Sequence, residues 1–313
     1  MDNQYSAFIN GEILAGDYEV VSRFKESKHD TSNTRIYVLS RHNSNHSFLC
    51  KQAKTLHAIQ DINNEIQMYK KIKTSKWLLR FTSRESIFPT SSDSKTFLIL
   101  EEFPGVNLTD AMQDNLSVSD SVQISVQILD YLSHMHSNGW VHRDFRPTNI
   151  IYCNGKIKVI DYGQAGSVDK KHEKYKSFNS SNHRPIKNSE RELGYTRRDE
   201  LEGAFYTLWQ LFSTSNVTPW RKSFEKNGKK NRNNEIALAH KKRLWEWAGK
   251  AKNTKFDNIK NSDKIQPLLR EFAKLASDLE DTKLPYLTLQ KILIQQFCNT
   301  DLKTQLSSLI NIS

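Results

Sequence analysis

The chain has 313 residues, 37% hydrophobic and 26% charged, with three widely spaced cysteines; this composition fits a soluble globular protein of one large domain or two lobes and speaks against a disulfide framework or a zinc site. No apolar run approaches the ~18 residues that span a bilayer, and the N-terminus lacks a basic-then-apolar leader, so the expected setting is intracellular, cytoplasmic or nuclear. Forty-six Lys and Arg against thirty-five Asp and Glu leave a net charge of +11, which favours anionic partners such as acidic or phosphorylated protein, nucleic acid or a membrane face, without choosing among them.

In chain order, β-forming residues cluster at Tyr18 to Phe24, Thr34 to Ser40 and Ser47 to Lys51, and the short polar loops between them predict an antiparallel sheet. Lys51 ends the third strand in an apolar setting. An ammonium buried there without a partner is costly, so it predicts an anionic neighbour. From Thr55 to Lys73, Ile59, Ile62, Ile66, Tyr69 and Ile72 recur at helical spacing, with Glu65 beside the stripe. Glu65 is the candidate partner, though on this pattern alone it fits a solvated helix position equally well. Phe97 to Phe103 then reads as a buried strand entering the turn Pro104-Gly105.

A second helix is predicted over Val118 to Ser137, ended by Asn138-Gly139. It leads into Val141-His142-Arg143-Asp144-Phe145-Arg146-Pro147-Thr148-Asn149, and Asp161-Tyr162-Gly163 follows after two short apolar runs joined by Asn154-Gly155. Apolar runs around an Asn-Gly pair predict a β-hairpin, whose outer ends here are Asn149 and Asp161. An amide oxygen and a carboxylate at those ends would suit Mg²⁺, a hard ion that prefers oxygen ligands. Asp144 stands just outside that pair, placed to orient or deprotonate an attacking hydroxyl. The pattern H-R-D-x-x-x-x-N followed by D-Y-G fixes the polar positions in order, which points to phosphoryl transfer more than to a buried His-Arg-Asp turn.

The ordered series Lys51, Glu65, the strand at 97–103, Asp144, Asn149 and Asp161 resembles the protein kinase superfamily over most of the chain. The resemblance implies an α+β bilobal fold: an N-lobe at 1–101 with a small antiparallel β-sheet and one helix, and a mainly helical C-lobe at 102–313. It implies ATP and Mg²⁺, with Lys51 paired to Glu65 and set against the α- and β-phosphates, and with Asn149 and Asp161 on the metal. Asp144 would orient the hydroxyl, and Arg146 would place a cation near the γ-phosphate. Around adenine it implies Leu100 as gatekeeper, backbone groups from Glu101 to Phe103, and Leu49 and Ile151 on the two faces of the base. Tyr69, His142 and Tyr162 would stack as an internal spine. Arg197-Arg198-Asp199-Glu200-Leu201-Glu202, the apolar helix Ala204 to Phe212 and Thr218-Pro219-Trp220 resemble the casein kinase 1 group, which includes the vaccinia-related kinases; Gly11-Glu12-Ile13-Leu14 is similar to the prelude of the latter.

By position, Asp161 to about Gly194 is the activation segment. Its Lys170, Lys171, Lys174, Lys176 and Arg184 fit an acidic or prephosphorylated protein substrate, and fit a solvated loop as well. The basic run Lys226 to Arg232 leaves the same choice, between a nuclear-import or phosphate-binding patch and a solvated loop. Helices are predicted at about 235–248, 265–280 and 287–297, with Trp245, Trp247, Leu268, Leu269, Phe272, Leu275, Leu289, Ile292, Leu293 and Phe297 in the core.

The sequence departs from the family at named places. Lys25 to Asn33, where a glycine-rich phosphate loop belongs, contains no glycine, and glycines let backbone N–H groups approach phosphate closely. Leu49 replaces an alanine. Glu200 stands where an aspartate braces the catalytic loop, unless Asp199 takes that role by a one-residue shift. The expected function is a Ser/Thr protein kinase with a glycine-free phosphate loop. The alternatives are a pseudokinase that binds nucleotide or partners, and a kinase of small molecules or glycans, against which Arg197 to Glu202 weighs.

Overall fold

The computed structural model describes residues 7–24, 33–72, 76, 78, 96–114, 116–168, 195–212, 238–239, 241–243, 246, 266–271 and 286–297. The glycine-free stretch at 25–32, the activation segment from 169 to 194, Thr218-Pro219-Trp220, the basic run at 226–232, and Trp245, Trp247, Phe272 and Leu275 lie outside them. The chain divides into two compact units, one of Met1–Gly105 with Lys158–Ala165, the other of Val106–Ile157 with Gly166–Ser313.

The first unit is built on a five-stranded antiparallel sheet in sequential order: β1 (Ile13–Leu14), β2 (Tyr18–Arg23), β3 (Thr34–Arg41), β4 (Phe48–Ala53) and β5 (Phe97–Glu101). In β2, Tyr18 and Val20 point inward while Glu19 and Val21 face solvent, the alternation that a half-buried strand requires. The buried face gathers Phe8, Leu14, Tyr18, Val20, Tyr37, Leu39, Phe48, Cys50 and Ile99. The Tyr37 phenol within it is satisfied, since its Oη donates to Gln52 Oε1 at 3.0 Å and accepts from the Phe8 N–H at 3.1 Å. Helix α1 (Leu56–Lys71) starts at Thr55, whose hydroxyl accepts the Ala58 N–H at 3.2 Å, a cap worth about 1 kcal/mol. It buries Ala58, Ile62, Glu65, Ile66 and Tyr69, a stripe at helical spacing that carries one carboxylate into the apolar face.

The second unit holds the short strand β6 (Val106–Asn107), helix α2 (Leu108–Gln113), helix α3 (Val118–Ser137) and strand β7 (Trp140–Val141). Strands β8 (Ile150–Cys153) and β9 (Lys156–Val159, its last two residues counted with the first unit) follow, then β10 (Gly166–Ser167) and helices α4 (Arg197–Phe212) and α5 (Tyr286–Phe297). Strands β6, β8 and β9 form one sheet in that order, and β10 pairs with β7. Asn154 and Gly155 both have positive φ, 46° and 76°, as the tight turn between β8 and β9 demands. Helix α3 is buried on nearly every side and opens on a reciprocal capping box between Ser117 and Asp120.

Two features differ from the sequence reading. Helix α4 begins at Arg197, a full two turns before Ala204, because Thr196 and Asp199 form a second capping box: Asp199 N–H donates to Thr196 Oγ1 at 3.2 Å, and Thr196 N–H donates to Asp199 Oδ2 at 2.7 Å. Helix α2, only six residues long, had too short a pattern to register. Among the described residues no helix is long and apolar enough to cross a membrane.

Candidate active site

Lys51 sits in β4 between Ile36 of β3 and Leu98 of β5, so its stem is packed among apolar neighbours. Its ammonium lies 3.0 Å from Glu65 Oε2 and 2.5 Å from Asp161 Oδ1, all within the first unit. The three side chains differ sharply in exposure: Glu65 is 1% exposed, Lys51 15% and Asp161 45%. Burial works against the charge on Lys51, but Asp161 and then Glu65 outweigh it and hold its pKa above the ordinary lysine value. Burial pushes Glu65 up, and Lys51 pulls it back only in part. One ammonium thus serves two carboxylates, leaving the cluster a negative charge open to solvent on the Asp161 side.

Asp161 adopts the left-handed region, φ 66° and ψ 64°, which costs a non-glycine residue roughly 1–2 kcal/mol. The residues after it are tied to α1. Asn64 Nδ2 donates to Gly163 O at 2.9 Å and to Ala165 O at 2.6 Å, and Gln164 Nε2 donates to Asp61 Oδ1 at 3.0 Å. Tyr162 is fully buried, edge-on to Tyr69 at 5.6 Å between centroids, and its hydroxyl donates to Val159 O at 3.2 Å.

The strand proposed to line adenine is also in the first unit. Leu100 is buried opposite Leu49, and Glu101 pairs with Phe48. The Glu102 N–H is committed to Ser47 O at 3.0 Å. Lys158 Nζ lies 6.0 Å from the Phe103 ring centroid and donates to Leu78 O at 2.9 Å.

In the second unit, His142, Arg143 and Asp144 follow β7 in a turn where Arg143 takes φ 71°. Glu200 of α4 fixes that turn: Oε1 accepts the N–H groups of His142 at 2.5 Å and Arg143 at 2.9 Å, while Oε2 lies 2.7 Å from His136 Nε2. The other ring nitrogen of His136 bonds the Tyr286 hydroxyl of α5. Glu200 is therefore the acidic brace, and Asp199, one position earlier, is consumed by the cap of its own helix. Asn149, closing the 3-10 turn Pro147–Asn149, donates through Nδ2 to Asp144 O at 2.8 Å and Oδ2 at 3.0 Å. Arg146 Nε stands 3.2 Å from the same Asp144 Oδ2, an ionic contact without hydrogen-bond alignment. Ile151 follows, half-buried in β8 and opposite Asn107. His142 makes an edge contact with Phe145 at 6.2 Å.

The structure brings Lys51, Glu65 and Asp161 together in one unit, and Asp144, Arg146 and Asn149 together in the other. Sequence reasoning missed Asn64, Asp61, Gln164, His136 and Tyr286. Asn64 offered a faint signal, since asparagine is a poor interior helix residue and this one precedes the buried Glu65. Among the described residues, no cluster of three or more His, Cys, Asp and Glu could hold a metal by itself. Both Asn149 bonds to Asp144 are made through Nδ2, so they leave its carbonyl oxygen uncommitted to that residue.

Residues 31–198 match the family described as Protein kinase domain, more than half of the chain. Cyclin-dependent kinase F-3 of Oryza sativa subsp. japonica is 34% identical over 82 residues, 25% of this chain and 19% of that protein. Serine/threonine-protein kinase chk1 of Schizosaccharomyces pombe is 28% identical over 137 residues, 42% of this chain and 26% of its own. Calcium/calmodulin-dependent protein kinase type 1 of Caenorhabditis briggsae is 29% identical over 117 residues, 35% and 31% of the two chains. The matched stretch thus covers under a third of each of these relatives. The chain belongs to the protein kinase domain family.

Proposed function

We propose that the chain is an ATP-dependent serine/threonine protein kinase that phosphorylates protein hydroxyl groups. The observation that carries this reading is the ammonium of Lys51 held by both Glu65 and Asp161 at 3.0 and 2.5 Å. A cation so fixed binds phosphate oxygens without first having to be ordered. Asp161 and Asn149 are the residues assigned to Mg²⁺, since a carboxylate and an amide oxygen are hard ligands of the kind it takes. When bound, Mg·ATP supplies the transferable phosphoryl group. Asp144, steered by Asn149 and Arg146, orients the acceptor hydroxyl and takes up its proton at the carboxylate. Arg146 adds forked positive charge next to it. Leu49, Leu100, Ile151 and the backbone of Glu101 and Phe103 are the groups assigned to adenine.

Two finer assignments belong to the same proposal. Arg197 to Glu202, on the first turns of α4, supports placement near the casein kinase 1 and vaccinia-related kinase group. The net charge of +11 supports an acidic or prephosphorylated protein substrate.

The test is Mg²⁺-dependent autophosphorylation of the purified chain, abolished in Asp161→Ala and Asp144→Ala. Absence of transfer together with absence of thermal stabilisation by ATP and Mg²⁺ overturns the enzyme reading. The glycine-free stretch Lys25 to Asn33 favours a second reading, a pseudokinase; nucleotide stabilisation without transfer would support it.

A further inference from the structure

Asp161 is the most exposed of the three charges around Lys51, sits in a left-handed backbone conformation, and must still present its carboxylate at one place. Its carboxylate meets Lys51, itself a long flexible chain, at 2.5 Å. The backbone just beyond it is held far more tightly. One side-chain amide, Asn64 of α1, donates both its hydrogens to main-chain carbonyls, Gly163 O at 2.9 Å and Ala165 O at 2.6 Å. Between those two carbonyls, Gln164 Nε2 reaches back to Asp61 Oδ1, one helical turn before Asn64, at 3.0 Å. Gly163 lies so close to α1 that a Cβ on it would fall 2.9 Å from Asp61 Cβ. Glu65, the other carboxylate on Lys51, is the residue next to Asn64.

We propose that Asn64 is a positioning residue: by clamping the carbonyls of Gly163 and Ala165 onto α1, it fixes the rotation of the backbone at Asp161 and so couples the metal-facing carboxylate to Glu65. Holding the carbonyls two and four residues beyond Asp161 anchors the chain on that side and narrows the backbone rotations open to the residues before them. The clamp is made of α1 and residues 161–165, the same segments that carry Glu65 and Asp161. This inference rests on the kinase reading above, with Asp161 facing Mg²⁺.

The clamp can be tested by replacing the donor without changing shape. Asn64→Asp keeps the size and turns a donor to two carbonyls into an acceptor; Asn64→Ser keeps one donor, and Asn64→Gln keeps both on a longer stem. Two readouts are taken on the full chain: the Mg²⁺ concentration giving half-maximal autophosphorylation, and the added thermal stabilisation that Mg²⁺ brings to ADP over ADP alone. The expected result for Asn64→Asp is a rise of about tenfold in half-saturating Mg²⁺ with loss of most of the Mg²⁺-specific thermal shift, with Asn64→Gln and Asn64→Ser recovering part of both. A merely structural role would lower the melting temperature and the active fraction, leaving half-saturating Mg²⁺ unchanged; that outcome overturns the inference, in the serine variant as much as in the aspartate one if the latter does not fold. Should the unaltered chain show neither transfer nor a Mg²⁺-specific shift, the kinase reading fails first, and the two failures are thereby told apart.

Discussion

Glu200 Oε2 lies 2.7 Å from His136 Nε2, and neither side chain reaches solvent. This buried pair leaves the other oxygen of Glu200 for the N–H groups of His142 and Arg143, so an α4 carboxylate and an α3 imidazole together set the backbone that carries Asp144. Removing the carboxylate leaves two buried N–H donors and a buried imidazole without their acceptor. Glu200→Ala is expected to destabilise the chain by about 3 kcal/mol or more, since each orphaned buried donor costs ~1–3 kcal/mol. Glu200→Gln, which retains one acceptor oxygen, should cost less than half of that. Urea unfolding midpoints of the two variants check the order; equal costs would show that charge, not the acceptor geometry, is what matters.

The sequence made the Lys51–Glu65 pair legible because each partner breaks a local rule, a lysine at the end of an apolar strand and a glutamate beside an apolar helical stripe, whereas the contact of Lys51 with Asp161 was not expected. Helix α3 and the β8–β9 turn were legible for a similar reason, the periodicity and the Asn-Gly pair being strong local signals. What was not legible depended on contacts distant in sequence. His136 and Tyr286 are 150 residues apart, and nothing in either neighbourhood marks them as partners. The choice between Asp199 and Glu200 as brace turned on which one the helix cap consumes, and that depends on where α4 begins. Asn64 reads as an ordinary polar helix residue until the backbone carbonyls of Gly163 and Ala165 are set against it.

Alkaline pH should weaken the fold in a defined direction. Burial raises Tyr69 and Tyr195 well above the ordinary tyrosine value, with Glu65 and Glu200 respectively adding to the rise, and burial raises the Cys50 thiol as well. Lys51 is also raised, because Asp161 and Glu65 overcome its burial. For a group whose folded pKa is raised, the unfolded chain loses its proton first. The stabilisation is then complete below the unfolded pKa and is lost as pH rises above it. The loss should begin near ~8.5 for the thiol and ~10 for the phenols and the ammonium, at up to about 1.4 kcal/mol per pH unit for each group. Denaturant midpoints that stay level from pH 8 to 11 would refute this, and Tyr195→Phe should shallow the decline.

The buried carboxylate of Glu65 should be costly once its partner is gone. Lys51→Met replaces the ammonium with an apolar chain of similar length and leaves Glu65, 1% exposed, to take up a proton or stay charged without its cation. The single variant is expected to lose about 3 kcal/mol, in the range for breaking a buried pair from one side. Lys51→Met combined with Glu65→Gln should be more stable than Lys51→Met alone. A double-mutant cycle on unfolding free energies measures the coupling, expected at about 1–3 kcal/mol. Additive losses would mean that Asp161, not Glu65, is the main counter-charge of Lys51 in the folded chain.

Two glycines allow backbone approaches of different kinds, and alanine at each should separate them. A Cβ on Gly163 would lie 2.9 Å from Asp61 Cβ and 3.5 Å from its Cα, atoms fixed to the backbone of α1. Such a neighbour cannot rotate away, so the strand-to-turn segment must move, and Gly163→Ala is expected to cost about 1–3 kcal/mol while stretching the Asn64 hydrogen bonds. A Cβ on Gly166 would instead fall inside the guanidinium of Arg143, the far end of a flexible side chain. Arg143 is buried against β10, so its displacement has a cost, but that cost belongs to the guanidinium alone. Gly166→Ala should therefore be destabilising in the unaltered chain and nearly neutral in an Arg143→Met background, whereas Gly163→Ala should cost the same in both. Thermal midpoints of the four variants decide it; a penalty at Gly166 that survives Arg143→Met would place the constraint in the β7–β10 backbone rather than in the arginine.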